Sequence, residues 1–370
     1  MRLSLLAKEV AAETLGRTGA HRLWSGRAAP RVLVLGYHQV VEDERNAGPS
    51  IPAMIISTAM LERQLDWVGR RFRFVTLDEL GHQLESGGAG ERPFAAVTFD
   101  DGYRDVYEHA FPLLQRKGIP GAVCVVTDLV GTRRLLFHDQ LYLVVARALA
   151  QPLSARAQLV MRLRRIAPVP GLEEIARPRP RGAFAVMRRL LETVPPAELE
   201  MMVHVLGEPR EWEEESFSEL RILDWDMVRA MHRGGFTIAS HTSTHARLTV
   251  ETPERARQEL SASRKRLEEE LNAPVRHFAY PDGCFDGAVV DAVAEAGYEF
   301  AYTTCRHRDR RRPLLTVPRR LLWENSCRNS AGRFSPSLMR GLVQGVFDWF
   351  APCRQDHRAA RVARRQEAMA

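Results

Sequence analysis

Two short polar motifs hold the residues able to do chemistry. Thr98-Phe99-Asp100-Asp101-Gly102 follows the apolar run 93–97, and Ser240-His241-Thr242-Ser243-Thr244-His245 follows the apolar run 236–239. Each reads as a buried strand breaking into polar residues. Together they offer two carboxylates and two imidazoles, enough for one metal ion and one general base, and that combination points to hydrolysis. His241 and His245 are four apart, a spacing that places both rings on one side of a helix or tight helical turn. Neutral imidazole suits zinc, iron, cobalt or nickel. Asp100 and Asp101 are neighbours at a strand end, where a turn through Gly102 lets both reach one site. Two carboxylates without a counter-ion repel, and one pKa rises. A divalent ion resolves the conflict by binding one of them and leaving the other as a base. Helix capping by one aspartate would account for Asp101 alone, but for neither the pair nor the histidines.

Those motifs need strands to carry them and helices to space them. Apolar runs at 32–36, 94–99, 119–126, 236–239, 275–280, 298–303 and 315–317 predict about seven strands. Helical patterns fall between them. One runs over 58–70, another over 103–117 up to Gly118, and a third over 224–233 up to Gly234 and Gly235. A longer one spans 253–271 behind Thr252 as N-cap, and a further one spans 285–296 up to Gly297. Strand and helix in alternation argue for parallel β-α units with covered sheet faces. Residues 41–57 read as a loop. From about 131 to 220 the patterns are helical, divided by a proline-rich stretch at 168–181. The chain therefore predicts an α/β fold: a mostly parallel, barrel-like sheet from 31–130 and 221–330, with a helical insertion at 131–220. A helical N-terminal arm at 1–30 precedes it, and a C-terminal helix and basic tail at 331–370 follow.

A length of 370 residues suits one α/β barrel with an insertion. The hydrophobic share of 45% and charged share of 27% are those of a globular protein. The net charge is +7, and much of the basic excess lies in the insertion, at 306–312 and in the tail 354–365. Arginines there suit phosphate or anionic lipid, against the plainer reading of a solvated basic face. The charge comes with no nucleic-acid-binding motif and no aromatic stacking series, so nucleic acid is not the expected partner. The five cysteines form no C-x-x-C pair, and their odd count favours a reducing compartment. Leu3 to Leu6 is too short for the apolar core of a signal peptide, and no run reaches the roughly 18 apolar residues of a membrane span. The expected location is cytoplasmic, with peripheral contact to the inner membrane.

With its two motifs the chain resembles the polysaccharide deacetylase family, the NodB-homology carbohydrate esterases. A third family motif has a variant counterpart in Phe278-Ala279-Tyr280-Pro281-Asp282-Gly283, and Tyr37-His38 is similar to the first-strand signature of the branch acting on exopolysaccharides and surface glycans. The resemblance implies a distorted (β/α)7 barrel of the NodB-homology type. It implies Asp100 as catalytic base, with Asp101, His241 and His245 as ligands of a divalent metal ion, usually Zn2+. The backbone N–H of Asp282 would donate to the oxyanion. The substrate would be an N-acetylated sugar in a glycan or its precursor, and the products acetate and a free amine.

The chain departs from the family pattern in three places. Ala279 stands where an arginine orients the base, and Arg276 lies three residues earlier. The aspartate-tryptophan motif has no counterpart near 303–310. The last motif, which supplies a histidine as general acid, here reads Leu314-Leu315-Thr316-Val317-Pro318-Arg319. His38 is the first candidate for the proton donor, because it ends a predicted barrel strand; a structural histidine is the alternative. Arg319 either binds substrate or supports Asp100, and it is a poor acid. Tyr37 and Tyr280 are candidates for shaping the sugar site, with core packing as the alternative. Cys284 reads as a buried small residue. Two other functions stay open: an amidohydrolase acting on a non-sugar amide, and a non-catalytic glycan-binding protein that keeps the metal site.

Overall fold

The structure is a computed structural model, and it describes residues 30–86, 92–166, 172–206, 215–348, 353, 355 and 357. The arm read at 1–30 lies, except for Pro30, outside the described residues, as does the arginine-rich tail apart from its positions 355 and 357.

Eight short strands make the main sheet: β1 (Val32–Tyr37), β2 (Phe94–Phe99), β3 (Gly121–Val125), β4 (Thr237–Ser240), β5 (His277–Ala279), β6 (Phe300–Thr303), β7 (Val317–Pro318) and β8 (Arg320–Leu321). Every pairing is parallel, in the order β7-β6-β5-β4-β3-β2-β1-β8. The two ends of that order are neighbours in sequence, with only Arg319 between them. Val317 pairs with Tyr302 on one side, and Arg320 pairs with Leu35 on the other. One stretch of chain thus brings the two edges together into a nearly closed barrel, the (β/α)7 architecture that the motifs imply. Arg73–Phe74 adds a short strand beside β2.

The strands are buried along their length, as expected where helices cover parallel strands. Helix α1 (Thr58–Gly69) starts at Ser57, whose hydroxyl accepts from the Met60 amide. Helix α2 (Leu77–Glu85) starts with a capping box of Thr76 and Glu79. Its Leu77 and Leu80 pack with Val34, Phe94, Phe300 and Tyr302 of the sheet. Helix α3 (Phe111–Lys117) ends at Gly118 in the left-handed conformation. The turns before α3 differ from the continuous helix read at 103–117. Val106–Ala110 is a π-turn, a widening that hydrophobic spacing does not signal. Part of the loop read at 41–57 is also ordered: Ile55–Ser57 pairs with Gln39–Val41, in strands too short to show alternation.

A second compact unit comprises Ala47–Ala53 and Arg133–Arg221. Its helices are α4 (Phe137–Ala150), α5 (Leu153–Ile166), α6 (Ala183–Thr193) and α7 (Pro196–Leu206). Helix α4 packs against α6 and α7 through buried residues that include Leu141, Val145, Val186, Leu190 and Met202. The first unit continues with α8 (Trp225–Arg233), α9 (Pro253–Leu271), α10 (Gly287–Glu295) and α11 (Pro336–Val343).

Candidate metal centre and active site

Three loops at the C-terminal ends of β2, β4 and β5 carry the site. In the first, β2 ends at Phe99 and the chain turns through Asp101 and Gly102, at φ 70° and 72°. A non-glycine residue with positive φ is strained, and such strain persists only where surrounding contacts impose it. The turn breaks the strand alternation that would have sent Asp100 and Asp101 to opposite faces. Both side chains are buried, Asp100 at 3% and Asp101 at 1% exposure.

The second loop is not the helical turn that the His-x-x-x-His spacing suggested. Residues 241–247 have no helical structure, and Thr242 and His245 both have φ of 66°. Glu259 of α9 holds this loop in place. Its carboxylate accepts from the Ser243 and Thr244 amides at 2.9 Å each and from the Thr244 hydroxyl at 2.8 Å, and Arg255 pairs with it at 2.6 Å. Glu259 escaped the sequence reading because it sits among many charged residues on a long helix. Only its burial marks it out.

The two loops meet at Asp101. Its Oδ1 lies 3.4 Å from His241 Nε2 and 3.2 Å from His245 Nε2. The His241 Nδ1–H donates to the Ala279 carbonyl at 2.7 Å, which leaves Nε2 as the ligating nitrogen. His245 is pulled two ways. Burial lowers its pKa, but the hydrogen bond and charge of Asp101 outweigh this, and the net shift is upward. The residues fit a divalent ion. Ligand atoms bound at about 2.1 Å in tetrahedral geometry stand roughly 3.4 Å apart, which is the spacing found here. Asp101, His241 and His245 form a metal-binding triad.

Asp100 faces a different partner. The Arg319 guanidinium forks onto it, with Nη1 to Oδ1 and Nη2 to Oδ2 both at 2.6 Å, while Nη1 also donates to Thr98 Oγ1 at 3.1 Å. Burial pushes the Asp100 carboxyl up, but Arg319, His241 and His38 outweigh it, and the pKa falls below its ordinary value. Asp100 is therefore ionised at neutral pH. Of the two readings of Arg319, the structure supports the second. Its side chain is fully buried and engaged by Asp100, so it does not reach substrate. Arg319 thus holds Asp100 at two points from the barrel-closing stretch, while position 279 carries only the small side chain of an alanine. The small side chains of Cys124, Ala239 and Ala279 cluster inside the barrel, and the Cys124 thiol is close enough to feel both Asp100 and Arg319.

The other predicted residues fall into two groups. His38 belongs to the site, with Nε2 3.9 Å from Asp101 Oδ2 and the side chain partly exposed. Asp282 sits on the third loop with φ 55°, and Arg247 holds its carboxylate at 2.6 and 2.8 Å. Tyr37 and Tyr280 are a correction. Both are fully buried, with hydroxyls donated to Gln64 Oε1 and the Leu315 carbonyl, so they pack the barrel and do not line a sugar site.

The sequence model of the polysaccharide deacetylases matches residues 87–160 and 182–301. The chain belongs to the polysaccharide deacetylase family. As a member it is a hydrolase of the deacetylase class. Solved structures agree on the fold. The Streptococcus pyogenes deacetylase PplD, in complex with acetate, has a TM-score of 0.52 at 16% identity over 84% of this chain and 97% of its own. IcaB from Ammonifex degensii gives 0.50 at 19% identity over 85% and 97%. A polysaccharide deacetylase from Bacillus cereus gives 0.50 at 18% over 84% and 68%. None of the curated proteins compared with the chain matches it.

Two variants test how this deacetylase site is held. Arg319→Met strands a buried carboxylate and should destabilise the protein by about 3–5 kcal/mol. Urea denaturation checks this, and an unchanged midpoint would mean that the pair holds nothing together. Glu259→Ala should lower metal affinity by about 10–100-fold, as loss of outer-shell support does elsewhere. Chelator competition measures it, with circular dichroism confirming that the barrel remains folded.

Proposed function

We propose that this deacetylase removes the N-acetyl group from an N-acetylated sugar in a glycan, glycolipid or glycan precursor of the cell surface, releasing acetate. The observation that carries the reading is the ionised, two-point-held Asp100 next to the triad of Asp101, His241 and His245. A divalent ion held by that triad, Zn2+ by preference for its imidazole and carboxylate donors, would polarise the acetyl carbonyl and make water more acidic.

The chain's own residues supply the remaining parts. Asp100 enters as a carboxylate and accepts a proton from the attacking water. The fork from Arg319 fixes the carboxylate plane, so little reorganisation is needed as it becomes neutral. Water oxygen adds to the acetyl carbon, and the left-handed turn at Asp282 presents a backbone N–H to the developing oxyanion. The C–N bond then breaks. The departing nitrogen takes a proton, which we assign to His38, and acetate and a free amine leave. His38 suits the role because it lies at the rim of the triad and is partly exposed.

The proposed compartment is reducing and cytoplasmic, with a glycan precursor as substrate; the odd count of five cysteines without a C-x-x-C pair is what supports it. Peripheral contact with anionic lipid is the proposed use of the arginines at 306–312. Arg311 and Arg312 already pair with Asp291, and Arg306 with Asp348, so the contact would rest on few charges.

Acetate release from a panel of N-acetylated sugars, nucleotide sugars and lipid-linked glycans tests the activity. Release should need added metal, fall by about 100-fold or more in Asp100→Asn, and fall in His38→Gln, with kcat affected more than KM. Metal-independent release, or full activity in Asp100→Asn, would reject the mechanism. Vesicle sedimentation decides the lipid contact: binding should appear with anionic vesicles and vanish with neutral ones, and no binding to either removes it.

A further inference from the structure

Besides the triad, one other cluster of metal-ligating side chains occurs among the described residues. It joins Cys305, in the loop after β6, to Cys353 and His357 of the C-terminal tail. The Cys305 and Cys353 sulfurs lie 3.6 Å and 3.3 Å from His357 Nε2. All three donor atoms lie within 4.8 Å of one another. Sulfur at about 2.3 Å and nitrogen at about 2.0 Å from a tetrahedral zinc ion stand roughly 3.5 Å apart. The cluster thus has the size of a coordination sphere.

The imidazole is oriented as a ligand. The His357 Nδ1–H donates to the Phe285 carbonyl at 2.9 Å, which fixes the tautomer and leaves Nε2 aimed at the two sulfurs. The ring also stacks on His307, with centroids 4.3 Å apart and planes 6° from parallel, and packs on Phe285 at 4.4 Å. Cys353 and His357 are four apart on one short segment, so folding down the tail delivers both ligands. Cys305 is buried and Cys353 exposed, which leaves an entry path for an ion.

We propose that Cys305, Cys353 and His357 bind a second metal ion, a structural ion of the zinc class, which pins the C-terminal tail to the loop after β6. Two thiols and an imidazole form a soft donor set that favours zinc over magnesium or calcium, unlike the carboxylate-containing triad. Binding exchanges the two thiol protons for one divalent cation. Gln355, between the two tail ligands, accepts from the Phe285 amide and donates to the Gly283 carbonyl, both at 3.3 Å. The ion would therefore brace the segment that follows Asp282.

Metal content of the full chain decides the matter. The protein is loaded with zinc under reducing conditions, desalted and analysed beside Cys353→Ser, His357→Gln and His241→Ala. Two equivalents are expected in the parent and one in each variant. Cobalt in place of zinc should give thiolate charge-transfer absorption that survives in His241→Ala and disappears in Cys353→Ser. One equivalent in the parent overturns the proposal, as do two equivalents retained in both tail variants. So does a Cys305–Cys353 disulfide, seen by thiol counting in the protein purified without oxidant. Cys353 is exposed, so its replacement leaves the barrel core intact. His241→Ala keeps this outcome separate from any failure of the deacetylase mechanism.

Discussion

An ionised carboxylate buried in a barrel interior costs several kcal/mol unless a cation reaches it with good geometry. In this protein the cation is Arg319, 219 residues from Asp100 in sequence. The stretch that carries Arg319 also joins the two edges of the sheet, through Val317 on β6 and Arg320 on β1. Barrel closure and the ionised state of Asp100 therefore depend on each other. If the closing stretch slips, the carboxylate loses its partner. If the carboxylate is removed, a guanidinium is left buried beside Thr98 and Cys124 with no carboxylate facing it.

Around that pair, the site loops hold backbone conformations they would not adopt alone. Among the described residues, five non-glycine residues have positive φ, and four of them are Asp101, Thr242, His245 and Asp282. Each costs of order 1–3 kcal/mol in isolation. Hydrogen bonds from outside the loops offset the cost: the carboxylate of Glu259 under residues 243–244, the guanidinium of Arg247 on Asp282, and the Ala279 carbonyl on His241. The result is a triad whose His241 ring is turned by the Ala279 carbonyl and whose histidine loop is held by Glu259, neither of them a ligand.

The proposed tail site has opposite chemistry. The triad couples one carboxylate and two imidazoles with little exposure, while the tail cluster couples two thiols and one imidazole with an exposed member. The two donor sets differ in softness, so one kind of cell can load both without exchanging their roles. His357 and Gln355 attach to the loop that bears Asp282, and this gives the chain's last described residues a connection to the active-site rim.

Several features were determined by the sequence itself. Asp100-Asp101-Gly102 and His241 to His245 announced a hydrolytic site because reactive side chains at strand ends leave a local signature. The β-α rhythm announced the parallel barrel because apolar runs record burial. Tertiary structure decided what depends on distant partners. The sequence left Arg319 open between binding substrate and supporting Asp100, and only closure of the barrel brings it onto Asp100. The histidine spacing suggested a helical turn, but Glu259 holds an irregular loop instead. The sequence left Tyr37 and Tyr280 open between the sugar site and the core, and tertiary packing buries both. Cys305, Cys353 and His357 showed no ligand pattern along the chain, because two elements far apart in sequence supply them. Local pattern fixes which side chains are available; long-range packing fixes which of them meet.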